Sequence, residues 1–152
     1  MPVDTERQLV SFTELVASSI ANAESRTELA RLVEEQAALR RVATLVAHGA
    51  SPTDVFAAVT EEVGTLLPVE YATLWQYEPT GMATYIASWG TVESSYQPGD
   101  RLHLGGKNLL TLVFESGRSA RMENYDDASG ELGDLTPSSR HARSAIATPI
   151  AL

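Results

Sequence analysis

The chain has 152 residues, of which 43% are hydrophobic, 20% charged and 7% aromatic, a composition that excludes collagen-like, low-complexity and wholly disordered proteins. Its formal charge is −9: seven acidic against five basic side chains over residues 1–50 (−2), and thirteen against six over residues 51–152 (−7). Such a surface repels phosphate backbones and anionic lipid, so neither nucleic acid nor a membrane is an expected partner.

There is no cysteine, which removes a disulfide framework, a thiolate nucleophile and a thiolate zinc or iron–sulfur site. No apolar run approaches the ~20 residues of a membrane span. The opening Met-Pro-Val-Asp-Thr-Glu-Arg-Gln lacks the basic start and apolar stretch of a signal peptide. The cytoplasm is the expected compartment.

From about Asp4 to Ala47 there is neither Pro nor Gly, and Ala, Leu, Glu, Arg and Gln dominate from Thr27 onward, which predicts one long helix. Leu9, Phe12, Val16, Ile20 and Ala23, then Leu29, Leu32, Leu39, Val42 and Val46, recur at helical spacing. Leu32, Leu39 and Val46 are seven apart, as are Leu29, Gln36 and Ala43, and together they make a heptad seam. The earlier seven-spaced set of Leu9, Val16 and Ala23 falls out of step through Ser25-Arg26-Thr27-Glu28, as where two helical units are spliced. At about 1.5 Å per residue this helix is far longer than a small domain needs. Residues 1–47 therefore read as a parallel coiled-coil connector and predict a homodimer; the alternative is a solvated helix whose stripe packs on its own domain.

Residues 48–152 read as an α+β domain, an antiparallel sheet flanked by helices. Gly49 ends the first helix; Ser51, Pro52 and Asp54 look like an N-cap, a first-turn proline and a near capping box. Val55, Phe56, Val59, Val63, Leu66 and Leu67 form the predicted apolar face of a second helix, which Pro68 stops. Tyr71–Tyr77 reads as a strand, Glu78-Pro-Thr-Gly81 as a tight turn, and Ala83–Trp89 as the returning strand. Arg101–Leu104 is a short strand or an extended entry to the next helix. Gly105-Gly106 loosens the chain there, Asn108–Ser116 is the next helix with Leu109, Leu112 and Val113 on one face, and Gly117 is its stop. Residues 123–140 read as a mobile loop with at most a turn of helix, and Ser144–Leu152 as a last strand. A sheet ending there lacks a neighbour for an apolar edge. The domain is therefore expected to be truncated, its closing strands and final helix missing, unless another chain covers the edge.

Several local patterns resemble a GAF domain, the small-molecule sensor module of bacterial signalling proteins. They are Pro52-Thr-Asp-Val-Phe-Ala-Ala-Val-Thr-Glu-Glu-Val, Tyr71-Ala-Thr-Leu-Trp-Gln-Tyr77, Ile86-Ala-Ser-Trp-Gly90, the stretch from Asn108 through Glu115-Ser-Gly-Arg118 to Glu123-Asn-Tyr125, and Arg143-Ser-Ala-Ile-Ala-Thr-Pro-Ile150. Ser119 stands where the family usually places proline. Residues 9–25 are similar to the last helix of a preceding GAF domain, so the parent resembles a tandem-GAF sensor of actinobacterial type, such as a sensor histidine kinase. A phosphoacceptor-helix motif and an ATP-binding region are both missing from this sequence, so the chain is expected to be catalytically silent, with an output domain downstream.

The resemblance implies a small-molecule ligand between one face of the sheet and the helices and loops over it, with Trp75, Tyr85, Trp89, Leu109, Val113 and Asn124 around it. The alternative is that Trp75 and Trp89 are core aromatics facing each other across the hairpin. Some family members bind haem through a histidine, a role conceivable for His103 or His141 but not expected; bilin attachment and methionine sulfoxide reductase chemistry need the cysteine this chain lacks. His48 reads as a helix-end residue. The cofactor, if any, is left unnamed. Gly105-Gly106-Lys107-Asn108 fails the phosphate-loop pattern, with Arg101 and Asn108 where that pattern needs Gly and Ser or Thr. Glu123, Asp126, Asp127 and Glu131 lack the ligand spacing of a calcium loop, and no metal site is expected.

Overall fold

The computed structural model describes residues 3–91, 95–124, 128–131 and 144–150. It is an α+β chain that divides into two units, Met1–Ala47 and His48–Leu152.

The first unit is helix α1, Val3–Ala47, about 67 Å long at 1.5 Å per residue. It continues without a break because nothing within it removes a backbone donor. The residues that usually compete with the backbone instead fold their hydroxyls back onto it: Thr13, Ser19, Thr27 and Thr44 each donate to the carbonyl four residues earlier. Arg31 clamps two turns by pairing with Glu28 and Glu35. The helix ends before Gly49, whose φ of +73° is left-handed backbone.

In the second unit α2 spans Pro52–Leu66. Ser51 caps it, its Oγ accepting the Asp54 N–H at 3.2 Å, with Pro52 in the first turn. Strand β1 (Tyr71–Glu78) returns through a turn, in which the Gly81 N–H donates to the Glu78 carbonyl, into β2 (Met82–Gly90). Strand β3 (Arg101–His103) completes an antiparallel sheet in the order β1-β2-β3. Helix α3 (Leu109–Ser116) follows, then β4 (Ala120–Met122) and β5 (Ala145–Ala147), which pair antiparallel as a second sheet. Ser119 meets Thr148 hydroxyl to hydroxyl at 2.8 Å beside that pair.

The sequence suggests one sheet ending in a lone strand; the described residues form two sheets, with β4 supplying a partner for β5. A further difference lies inside the hairpin. Leu74 is opposite Ala87, but Trp75 is opposite Tyr85, so Ile86 is an extra residue and a β-bulge. The bulge resets the alternation of β1, and the exposed residues Thr73 and Gln76 are three apart instead of two.

Helix α2 packs on β1 and β2. Of its expected apolar face Val55, Phe56 and Val59 are half-buried, but Val63, Leu66 and Leu67 are exposed, and the fully buried residues are Thr60 and Gly64. At that end Trp89 sets the contact: a Cβ on Gly64 would fall 2.2 Å from its indole ring. A flat aromatic needs a surface without side chains, and the buried Thr60 satisfies its hydroxyl on the Phe56 carbonyl. The core of the unit is completed by Ala83, Tyr85, Ala87, Leu102, Leu109, Leu110, Val113 and Met122. Among the described residues no helix is long and apolar enough to cross a membrane.

Candidate functional site

The residues proposed to surround a ligand separate into four places. Trp75 and Tyr85, opposite one another across the bulged hairpin, meet edge to face with centroids 5.0 Å apart. Tyr96, from the loop before β3, closes on both, 5.3 Å from Trp75 and 5.8 Å from Tyr85. Trp75 and Tyr85 are thus both in contact with a third ring. Trp75 donates its indole N–H to the Thr73 hydroxyl, and the Tyr85 hydroxyl lies 3.4 Å from that of Tyr71. Burial, with Glu131 and Asp100 nearby, pushes the Tyr96 hydroxyl above its usual pKa.

Trp89 is not in this cluster. It sits opposite Ala72 and covers α2, so the two tryptophans do not face each other. Leu109 and Val113 lie one helical turn apart on α3 and are core side chains, 4% and 2% exposed, as is Tyr85 at 1%. Asn124 is exposed. Of the six named residues only Trp75 and Tyr85 are brought into mutual contact by the contacts described above.

Sequence reasoning missed Tyr96, whose position in an irregular loop carries no periodic signal. It also missed the clasp at the N-terminus of α3. Asn108 is buried: its Oδ1 accepts the Thr111 N–H while its Nδ2 donates to the carbonyls of Gly105 and Ser129. The Lys107 and Ser129 segments bond in both directions, Lys107 N–H to Ser129 Oγ and Ser129 N–H to the Lys107 carbonyl. Gly106 and Gly130 therefore admit a second backbone. A Cβ on Gly106 would meet the Ser129 carbonyl at 2.5 Å, and one on Gly130 the Gly105 carbonyl at 2.2 Å. Residues 128–131, read from sequence as part of a mobile loop, are bonded onto α3 and β3; the rest of that loop beyond Asn124 lies outside the described residues.

Glu131 accepts both the backbone N–H and the ring Nδ1 of His103, at 2.8 and 3.1 Å, and these bonds hold its carboxyl below the usual carboxylate range. Glu78 accepts from Arg101 and from the Thr84 hydroxyl, tying the end of β1 across β2 to β3, and its carboxyl is lowered first by Arg101 and then by Thr84. His141, Asp126 and Asp127 lie outside the described residues. Among the described residues no group of three or more His, Asp or Glu side chains is placed to hold a metal.

The second candidate site is α1 itself. Leu29, Leu32, Leu39 and Val46, the apolar members of its heptad seam, are 63%, 45%, 64% and 58% exposed. Leu9, Phe12, Val16 and Ile20 are exposed as well. A row of aliphatic side chains left in water over several turns is the mark of an interaction surface.

No protein-family model, curated protein or solved structure matches the chain. The functional reading therefore stands on these residues.

Proposed function

We propose that the chain is a non-catalytic regulatory module of a cytoplasmic signalling protein. In this reading α1 pairs with a second copy and couples the α+β unit to an output domain, of which a histidine kinase is the suggested kind. The observation that carries it is the exposed heptad seam of Leu29, Leu32, Leu39 and Val46. A seam of this spacing is buried by a second helix in a coiled coil. The resemblance of residues 40–152 to a GAF domain supports a signalling context. The burial of Tyr85, Leu109 and Val113 and the Tyr96 ring beside Trp75 favour a module whose interior is filled by its own side chains, a dimerisation and spacer role.

A second reading, small-molecule sensing, is favoured by one feature: the three aromatic rings of Trp75, Tyr85 and Tyr96 converge, the last of them supplied by a loop. A ligand binding there displaces Tyr96, and its preference for the displaced state sets the size of any signal. Two measurements test the pair of readings. Replacing Leu32 and Leu39 together with Asp converts a dimer mass into a monomer mass by light scattering; a wild-type monomer, or a dimer unaffected by the substitutions, refutes the pairing role. Native mass spectrometry of the purified protein shows a dimer without added mass for the spacer and added small-molecule mass for the sensor.

A further inference from the structure

We propose that residues 29–46 of α1 pair with the same residues of a second copy, parallel and in register, with the two Gln36 side chains meeting across the axis and Glu35 of each helix opposite Arg40 of the other. This rests on the reading of α1 as a paired helix and adds what decides its orientation and alignment.

The seam places Leu29, Gln36 and Ala43 at one core position of the heptad and Leu32, Leu39 and Val46 at the other. Gln36 is the polar exception in an otherwise aliphatic row, and it is exposed in the single chain. In a parallel, aligned pair like positions face like, so Gln36 meets Gln36 and each amide has a donor and an acceptor for the other. An antiparallel pair sets the first position against the second, so Gln36 faces Leu32 or Leu39 and its amide is buried without a partner. A parallel pair slipped by one heptad sets Gln36 against Leu29 or Ala43, with the same penalty.

The flanking charges select the same arrangement. The residues bordering the seam are Glu28, Glu35 and Val42 on one side and Val33, Arg40 and Ala47 on the other. In a parallel dimer the first border of one helix meets the second border of its partner five residues on, which joins Glu35 to Arg40 twice. An antiparallel dimer pairs like borders, and Glu35 then faces Glu28 or another Glu35. The Glu35 carboxylate already accepts from Arg31 of its own helix and retains lone pairs for a second cation.

The paired stretch has natural limits. Carried towards the N-terminus, the same frame puts Ser25, Asn22 and Ser18 in the core, and Gly49 ends the helix after Val46. Eighteen residues give about 27 Å of contact, short enough that association depends on protein concentration and that one core amide and two ion pairs decide its geometry.

The chain has no cysteine, so an introduced one is its sole thiol. Ala43→Cys lies in the core row and forms a covalent dimer under mild oxidation if the helices are parallel and aligned; Glu34→Cys, on the outer face, does not. Arg40→Glu weakens self-association by roughly tenfold, since both ion pairs become repulsions, and adding Glu35→Arg restores it to within about twofold. Gln36→Leu tightens association by roughly tenfold, because the polar core residue specifies alignment at the expense of stability. Each variant is read by analytical ultracentrifugation from about 1 to 100 µM, with tryptophan fluorescence confirming that the α+β unit is unchanged. A dimer whose Ala43→Cys form does not cross-link, or whose Arg40→Glu form associates as before, overturns the parallel alignment and leaves the paired-helix reading intact. A wild-type protein monomeric throughout that range overturns both.

Discussion

Replacing Gly64 with alanine sets two effects of opposite sign against each other. In a helix interior alanine is favoured over glycine by roughly 0.8–1 kcal/mol, so α2 taken alone is strengthened. In the fold, the new Cβ falls 2.2 Å from Cε3, 2.4 Å from Cδ2 and 2.9 Å from Cγ of Trp89. Ordinary carbon–carbon contact is about 3.5–4.0 Å, so the indole must retreat by more than about 1 Å. The atoms struck include Cγ, at the base of the ring, where rotation about the side-chain bonds gives the least clearance. Overpacking of this kind costs about 1–3 kcal/mol, which set against the propensity gain leaves a net loss of up to about 2 kcal/mol. For a unit of this size that lowers the thermal midpoint by up to roughly 10 °C. The assay is thermal and urea unfolding of Gly64→Ala, Trp89→Leu and the double variant, followed by circular dichroism and tryptophan fluorescence. With Leu at 89 the alanine is expected to stabilise, which isolates the clash as the cause. If Gly64→Ala raises the midpoint while Trp89 is present, the packing of the indole on Gly64 is refuted.

Other expected outcomes follow from the polar contacts. Asn108→Ala removes the α3 cap and the amide donor shared by the Gly105 and Ser129 carbonyls, a loss of about 2–4 kcal/mol in urea unfolding; Asn108→Asp keeps the cap acceptor but not the donors, and is expected to recover only part of it. Tyr77→Phe deletes the half-buried bond from its hydroxyl to the Leu110 carbonyl, 2.9 Å, for about 1 kcal/mol by the same assay. The Glu78 carboxyl is held below its ordinary value of 4.5 by Arg101 and Thr84. The stability it contributes is therefore complete above that value and lost as pH falls through the lowered one; Glu78→Gln is expected to flatten the acid side of a pH–stability curve below about pH 4.5, and an unchanged slope sinks the assignment.

Much of the fold is legible in local chemistry. Gly49 and Gly117 end α1 and α3 in left-handed backbone, Ser51 caps α2, and the turn before Gly81 lies where the Pro and Gly placement sets it. These features depend on groups a few residues apart, so a reader of the sequence holds both partners at once. The helical seam is legible for the same reason, being a matter of spacing along one helix.

The candidate ligand site was legible only in part. Trp75 and Tyr85 share a face because Ile86 is an extra residue in β2, and the residue types of the two strands do not mark where that register shift falls. Val63, Leu66 and Leu67 look like the buried side of α2 by hydropathy, yet Thr60 and Gly64 are buried instead, since the partner surface is a flat indole arriving from another strand. Tyr96 and the Ser129–Gly130 segment reach their neighbours across loops, where no period exists to be read.

Sequence alone thus determined the long helix, the cap of α2, the stops after α1 and α3, the hairpin and the heptad row of α1, because each is governed by backbone sterics and spacing over a short stretch of chain. Only the tertiary structure decided how far the inner face of α2 extends to Thr60 and Gly64, that β4 exists and pairs with β5, and which rings fill the space beside the sheet. Those outcomes depend on contacts between residues far apart in the chain, whose shapes must fit together before either one's role is defined.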